Sequence, residues 1–392
     1  MKWLGEKPFH TFLLLTEKPG QWAAWKLVPI PLALAAVAGL LWATVVQEPG
    51  WGWAVALGLL ALALVDWGLL ATLPRAGLSY GPVQPPWLGL TLLRWLIALA
   101  AGPFGARWLL PALFVLALVQ LLGSVLLVYG TRVEPFRIEI TQVELASTKL
   151  ADPGQPVRLL HLSDIHVERL TRREDKLAVI ISELSPDVIV VTGDFLNTSY
   201  NDDPRALADL RRLLSRFHAP GGIYGVWGTA EVDRPSVLRP VLRDLGVVLL
   251  DDQAVAMTIQ GRLLWLMGVS CTRDVGADAA RLRDLLGEAP PDAFTLFLYH
   301  LPDLMPEAAS LGVDLYLAGH THGGQWRLPG FGAILTSSRY WKRYESGGYR
   351  EGNTYLYVSR GLGMEGFGAP RARFLCPPEV VLITLDGAGG NG

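Results

Sequence analysis

Val157-Arg158-Leu159-Leu160-His161-Leu162-Ser163-Asp164-Ile165-His166 decides how this chain is read. A short apolar run ends in a polar turn that carries a carboxylate and, two residues on, an imidazole. The arrangement recurs downstream. Val188–Thr192 runs into Gly193-Asp194, Thr295–Tyr299 into His300, and Asp314–Ala318 into Gly319-His320-Thr321-His322-Gly323-Gly324. Further strands are expected at Ile223–Trp227, Leu263–Val269, Thr354–Ser359 and Val380–Leu385. Helices are expected at Arg172–Leu184, Pro204–Phe217 and Asp278–Leu286, where apolar residues recur at three and four spacing opposite charged faces. Strands alternating with amphipathic helices read as an α/β domain, and sites in such domains assemble at strand ends.

Four of the seven histidines, His166, His300, His320 and His322, fall at these strand ends beside Asp164 and Asp194. Imidazole and carboxylate together suit zinc, manganese or iron better than calcium or magnesium, which prefer oxygen alone. There is no P-loop, and no Gly-x-Gly-x-x-Gly lies between a strand and a helix.

Upstream the texture is different. Between Leu27 and Thr131 only five side chains are charged (Glu48, Asp66, Arg75, Arg94, Arg107), although the 392-residue chain has 34 basic and 36 acidic residues. Four spans are expected there, at 27–47, 51–73, 87–103 and 108–129. A bilayer core about 30 Å thick needs about 20 apolar residues per helix, and the third span is short by that measure. Ten of the 14 tryptophans lie in the first 108 residues, several flanking the spans, as interfacial aromatic belts require. The expected organisation is a membrane domain at 1–131, a linker with a first strand at 132–156, the α/β domain at 157–386 and a flexible tail at 387–392. Lys2, Lys7, Lys18, Lys26, Arg75, Arg132 and Arg137 flank one side of the spans and Arg107 the other. That asymmetry predicts a multi-pass protein with both termini and the large domain in the cytoplasm. Asp66 and Arg94 fall at similar depth in a hairpin of spans two and three and are expected to pair.

Composition excludes several classes. A chain 51% hydrophobic with net charge -2 is neither disordered nor a nucleic-acid binder driven by bulk positive charge. Its two cysteines, Cys271 and Cys376, fit no disulfide scaffold or zinc spacing and read as buried thiols. Four spans with two buried charges give little to line a transport pathway.

Ser163-Asp164-Ile165-His166, Thr192-Gly193-Asp194, Tyr299-His300 and Gly319-His320-Thr321-His322 resemble, in that order, the motifs of the calcineurin-like metallophosphoesterases. Gly323-Gly324-Gln325, Gly361-Leu362-Gly363 and Cys376-Pro377-Pro378-Glu379 resemble its membrane-associated phosphodiesterase branch, which includes enzymes similar to UDP-2,3-diacylglucosamine pyrophosphatase. The resemblance implies a four-layer αββα sandwich behind the bundle of about four transmembrane helices. It implies two divalent ions (Mn, Zn or Fe), one held by Asp164, His166, Asp194 and His322, the other by Asp194, His300 and His320. Two such ions, about 3.5 to 4 Å apart, share a hydroxide that attacks phosphorus in line. Asp194 and His320 are then the catalytic residues. The implied activity is hydrolysis of a phosphodiester or pyrophosphate in a lipid-linked or nucleotide-sugar substrate, with the bilayer as partner.

One motif departs from the family. Gly-Asn-His-Asp/Glu is replaced by Gly228-Thr229-Ala230-Glu231, so Thr229 is expected to be a weak ligand of the second metal and Ala230 offers no proton. A slow enzyme is therefore expected; the alternative is an inactive relative that binds metal and phosphate as a module. His161 reads as a core histidine or as support for the ligands, and His218 as structural. From Ser337 to Cys376 seven basic residues, Arg339 and Arg343 among them, are interleaved with aromatics. That stretch is expected to be loop-rich, to border the site and to face the membrane, with Arg339 and Arg343 binding substrate phosphate.

Overall fold

The computed structural model describes residues 15–16, 18–151, 154–366 and 368–388. Lys2, Trp3, Lys7, His10 and the last four residues of the glycine-rich tail lie outside the described residues. The chain divides into two units. One holds Glu134–Met364 and the residues from Arg373 on; the other holds the helices up to Val133 together with Glu365–Ala372.

The helical unit contains α1 (Pro29–Val46), α2 (Pro49–Ala71), α3 (Gln84–Gly105) and α4 (Leu109–Arg132). All four are long and apolar enough to cross a membrane. The third span is longer than the run 87–103 suggests. Its helix has 22 residues, because Pro85 and Pro86 sit in the first turn, where a missing N–H costs nothing. Helices α1 and α2 cross on small residues: a Cβ at Gly52 would lie 2.3 Å from the Gly39 carbonyl oxygen. Trp42 donates to the Ala98 carbonyl at 2.9 Å and Trp87 to that of Ala63 at 2.7 Å, so both indole N–H groups are satisfied inside the unit.

The expected pair is present. Arg94 holds Asp66 through two parallel bonds, Nε to Oδ2 at 2.6 Å and Nη2 to Oδ1 at 2.7 Å, and both residues are buried. The remaining guanidinium protons go to the Gln120 carbonyl and side chain at 2.8 and 3.0 Å and to the Ser124 hydroxyl at 2.8 Å. Removing one partner of a buried pair leaves an uncompensated charge and costs about 3–5 kcal/mol. Arg94→Leu and Asp66→Asn should each lower the thermal midpoint in detergent, and the double variant should recover part of the loss. Midpoints like the parent's in both single variants would show that the pair does not stabilise the bundle.

The second unit is built on two six-stranded sheets. The first has the order β1 (Glu139–Ser147), β14 (Glu379–Gly387), β2 (Val157–Leu162), β3 (Val188–Val191), β4 (Ile223–Gly225), β5 (Val247–Leu249). The second runs β12 (Gly347–Glu351), β13 (Thr354–Val358), β9 (Leu315–Ala318), β8 (Phe294–Leu298), β7 (Arg262–Gly268), β6 (Gln253–Ile259). Strands β2 to β5 are mutually parallel, as are β7, β8, β9 and β13. Leu159, Val188 and Val190 of the first sheet pack with Leu264, Leu296 and Leu315 of the second, filling the space between them. Helices α5 (Arg172–Leu184), α6 (Pro204–Leu214) and α7 (Pro235–Asp244) cover the outer face of the first sheet. Helices α8 (Val275–Gly287) and α9 (Met305–Leu311) cover that of the second. The result is the expected αββα sandwich.

Local chemistry fixes the helix starts. Thr171 and Glu174 form a reciprocal capping box on α5, while Asp203 and Asp274 cap α6 and α8 through two backbone N–H groups each. Helix α7 is not among the expected helices, because Pro240 inside it reads as a breaker. The edge strands β5, β6 and β12 escape sequence reading for a related reason: β6 and β12 are largely half-exposed, and β5 is only three residues long.

Candidate metal centre

Parallel strands from both sheets end at one place. Strand β2 delivers Asp164 and His166, β3 delivers Asp194, β4 leads to Gly228 and Thr229, β8 delivers His300, and β9 delivers His320 and His322. These side chains form two triads, Asp164 with His166 and His322, and Asp194 with His300 and His320. Within each triad the ligand-type atoms lie within 4.8 Å of one another, so each could hold a metal ion.

The distances show how the triads relate. Nε2 of His166 faces Nε2 of His322 at 3.1 Å, and Nδ1 of His320 faces Nε2 of His300 at 3.1 Å. Asp194 Oδ2 lies 3.6 Å from His166 Nε2 and 3.3 Å from His300 Nε2, which gives one carboxylate oxygen access to both groups. Asp164 Oδ1 lies 3.4 Å from His322 Nε2. Converging imidazole nitrogens around carboxylates are a donor set that suits a transition-type divalent cation. The donors present therefore fit the ions that the sequence implies.

The backbone carries an independent mark. Asp164, His166, Asp194, His320 and His322 have φ of 48°, 44°, 56°, 67° and 50°. Left-handed backbone is uncommon for side-chain-bearing residues and costs about 1–3 kcal/mol each, and such residues cluster where function over-determines the geometry. Only His300 among the six is free of it. Glycines make the close approach possible: a Cβ at Gly319 would lie 2.2 Å from Asp164 Oδ2, and one at Gly228 would lie 2.0 Å from Asp194 Oδ1.

Supporting groups orient the ligand-type residues. His300 Nδ1 bonds the Thr192 carbonyl at 2.6 Å, which leaves Nε2 as the end that faces the cluster. Ser163 donates to Asp164 Oδ2 at 2.5 Å, Thr192 donates to Ser163 at 2.8 Å, and His161 Nε2 bonds Thr192 Oγ1 at 2.8 Å. The core histidine is thus linked to a ligand-type carboxylate through two hydroxyls. Asp233 went unseen in the sequence, though it lies just past the altered motif. Its buried carboxylate accepts the N–H groups of Asp194 and Gly228, both at 2.8 Å, and of Phe195 at 2.9 Å, tying the Asp194 turn to the Gly228 turn.

Burial and mutual charge set the protonation states. Burial pulls the His300 imidazolium down, but Asp194 and Asp164 outweigh it and hold the ring up at about 9. Burial takes His320 down to about 3, with His300 adding to the effect, and pushes His322 well below the ordinary range. Burial would raise Asp194, yet His300, His166 and His320 keep it far below the usual carboxylate range. For Asp233 burial and the nearby Asp194 charge act together and push the carboxyl up to about 7.

Thr229 and Ala230 differ in their surroundings. The Thr229 hydroxyl donates to Asp194 Oδ1 at 3.0 Å, and its backbone N–H reaches the same atom at 2.8 Å. Ala230 is exposed, and Glu231 pairs with Arg273 at 3.1 Å.

The basic stretch is less uniform than the sequence suggests. It is not simply loop, since it contains β12 and β13. It does border the triads: Ser337 donates to the His320 carbonyl at 2.9 Å and Thr321 to that of Glu345 at 2.8 Å. Arg339 is exposed and stacks on Tyr340, and Arg343 is exposed and pairs with Glu351 at 2.5 Å. Arg373, by contrast, is fully buried. It donates to the carbonyls of Gly363 at 2.6 Å, Arg360 at 2.9 Å, and Gly361 and Cys376 at 3.1 Å. Those bonds clamp the segment whose Gly361 and Gly363 pack against Asp164 and His166. Arg373 is a backbone clamp, not a surface charge.

Residues 157–324 match the calcineurin-like phosphoesterase family. The chain is 31% identical over 274 residues to the metallophosphoesterase YkuE of Bacillus subtilis, a match spanning 66% of this chain and 88% of that protein. It is 29% identical to the phosphodiesterase YaeI of Escherichia coli, over 64% of this chain and 90% of YaeI. It is 24% identical to the UDP-2,3-diacylglucosamine pyrophosphatase LpxG of Chlamydia trachomatis, over 65% of this chain and 92% of LpxG.

Proposed function

We propose, from the premise that this chain belongs to the calcineurin-like phosphoesterase family, that it is a membrane-anchored, metal-dependent hydrolase of a phosphodiester or pyrophosphate bond in a lipid-linked or nucleotide-sugar substrate. The observation that carries the reading is the pair of triads with Asp194 Oδ2 within reach of both. In this reading Asp164, His166, Asp194 and His322 would hold one ion and Asp194, His300 and His320 the other. Divalent ions bound there supply Lewis-acid polarisation of the phosphoryl oxygens and an activated water.

The chain's own residues do the positioning. Asp194 would be the carboxylate common to both ions, and Thr229 orients it by occupying Oδ1. His300, its Nδ1 on the Thr192 carbonyl, turns Nε2 inward. Ala230 can supply no proton to a departing alkoxide, which favours bonds whose leaving group is already a stabilised anion. A pyrophosphate meets that condition, and the names of the phosphodiesterase and pyrophosphatase relatives support the same class of bond. Arg339 and Arg343 are proposed to meet the substrate's phosphate from the exposed rim. The basic flanks Lys18, Lys26, Arg75, Arg132 and Arg137, against Arg107, support a cytoplasmic catalytic unit.

A second reading, a metal- and phosphate-binding module with little or no turnover, is favoured by one feature. The Thr229 hydroxyl is spent on Asp194, where the family motif has an amide. The full chain in detergent, loaded with Mn²⁺ and assayed for metal content and hydrolysis of bis(p-nitrophenyl) phosphate, separates the two. Two ions per chain with Mn²⁺-dependent release of nitrophenolate are expected. Two ions and no release would establish the binding module, and absence of bound metal would sink both readings.

A further inference from the structure

The exposed apolar surface of the catalytic unit is concentrated in one place. Of its eight exposed large hydrophobic side chains among the described residues, four fall within 328–335: Leu328 at 47%, Phe331 at 52%, Ile334 at 48% and Leu335 at 42%. Scattered single hydrophobics on a surface need no explanation, but a cluster marks an interaction site.

The cluster has a defined scaffold. Strands β10 (Arg327–Leu328) and β11 (Gly332–Ala333) form a short antiparallel hairpin whose tip is Pro329-Gly330-Phe331. Gly330 and Gly332 there have φ of 72° and 83°. The hairpin follows the His322–Gly324 turn directly and is pinned to it. A Cβ at Gly324 would lie 2.5 Å from that of Ala333, and Trp326 N–H donates to the Gly324 carbonyl at 2.5 Å. Its base is held by Arg327 N–H on the Phe374 carbonyl at 3.0 Å, and Leu375, next in sequence, is 44% exposed. The Lys342 ammonium sits 3.6 Å from the centre of the Phe331 ring. From Arg327 to Glu351 there are five basic residues (Arg327, Arg339, Lys342, Arg343, Arg350) and two acidic ones: Glu345, beside Arg327 and Lys342, and Glu351, beside Arg343.

An apolar, aromatic tip with a basic rim has the composition of segments that enter the interface of an anionic bilayer. The occupant is indicated by the chain itself. The fourth helix long and apolar enough to cross a membrane ends at Arg132, a short turn follows at Glu134–Phe136, and β1 of the catalytic unit begins at Glu139. That connection tethers the start of β1 to the last membrane-crossing helix through residues 133–138.

We propose that the hairpin Trp326–Leu335 dips into the headgroup–acyl boundary of an anionic bilayer, so that the triads beside it act on a phosphate in the headgroup layer of a membrane-resident lipid. The proposal rests on the hydrolase reading for its substrate and on the hairpin alone for its docking.

The test uses the full chain in vesicles of phosphatidylcholine and phosphatidylglycerol. An environment-sensitive fluorophore is placed by Phe331→Cys and, for comparison, by Val179→Cys on the exposed face of α5. The unsubstituted chain is the labelling control for Cys271 and Cys376. Emission at position 331 should shift to the blue and be quenched by nitroxide-bearing lipids, and emission at 179 should do neither. Water-like emission at both positions, or a blue shift at 331 without nitroxide quenching, as a second copy of the chain would give, overturns the proposal. In a second arm, Phe331→Glu with Leu328→Glu should raise the apparent KM for a vesicle-borne phosphodiester about tenfold or more. An unchanged KM counts against the proposal. The fluorescence needs no turnover, so a lipid-embedded label on a chain that hydrolyses nothing removes the hydrolase reading and leaves docking intact. Turnover of a soluble diester with a water-exposed label does the reverse.

Discussion

Asp194→Asn is expected to cost both metal sites and at least about 10³-fold in turnover, while the fold survives. Its Oδ2 lies 3.6 Å from His166 Nε2 and 3.3 Å from His300 Nε2, and its Oδ1 receives the Thr229 hydroxyl and backbone N–H. Asparagine has the same shape but carries one oxygen and an NH₂ group. If the oxygen stays on Thr229, the NH₂ turns toward two imidazole nitrogens and a cation is repelled. If the amide flips, Thr229 loses its acceptor. A shared ligand of two ions bears several kcal/mol of transition-state stabilisation, and each 1.36 kcal/mol is tenfold in rate. Thr229→Ala removes the hydroxyl bond to Asp194 and keeps the backbone one, so it should weaken both sites much less than Asp194→Asn does. Metal content and bis(p-nitrophenyl) phosphate kinetics on both variants, with circular dichroism as the check on folding, make the comparison. An Asp194→Asn chain that keeps two ions and a rate within tenfold of the parent would remove Asp194 from the centre of the mechanism.

Thr229→Asn combined with Ala230→His is expected to raise occupancy of the second metal site and to accelerate hydrolysis by about 10²- to 10⁴-fold, the usual contribution of a positioned acid or donor. The backbone course and the exposure of Ala230 favour the change. Asp233 holds the turns of Asp194 and Gly228 through three backbone N–H groups, so the loop does not depend on the Thr229 side chain for its course. Ala230 is exposed, and an imidazole there meets no packed core. The gain should be largest for esters with poor leaving groups and small for nitrophenyl esters, which depart unprotonated. Restored metal binding with no acceleration on any ester would mean that the pocket has diverged beyond these two positions, and the binding-module reading would then prevail.

The strands that carry the triads were legible because buried parallel strands are short apolar runs, and Val157–Leu162, Val188–Val191 and Leu315–Ala318 each end in a recognisable polar turn. The ligand-type residues were legible for the same reason, since all six follow such runs. Asp233 and Arg373 were not. Their work is to accept or donate bonds to backbone groups of distant turns, and nothing in a carboxylate or guanidinium near a loop announces that it will be buried against peptide groups. The left-handed conformations at Asp164, His166, Asp194, His320 and His322 were equally invisible, because Asp and His are compatible with that geometry without requiring it. In the helical unit, Asp66 and Arg94 could be matched by depth alone. Gln120 and Ser124, which complete the guanidinium's shell, could not, since polar uncharged residues occur on any face of a span.

The assignment of Glu365–Ala372 to the helical unit bears on how the chain is made. Gly368 N–H donates to Thr16 at 2.9 Å, and a Cβ at Gly81 would lie 2.7 Å from the Arg371 side chain. Thr16 and Gly81 are made before the sandwich, and Gly368 and Arg371 after nearly all of its strands. Those contacts of the helical unit can therefore close only after residues 134–364 have been translated. Severing the chain after Val133 therefore separates the helices from Glu365–Ala372, the segment that groups with them.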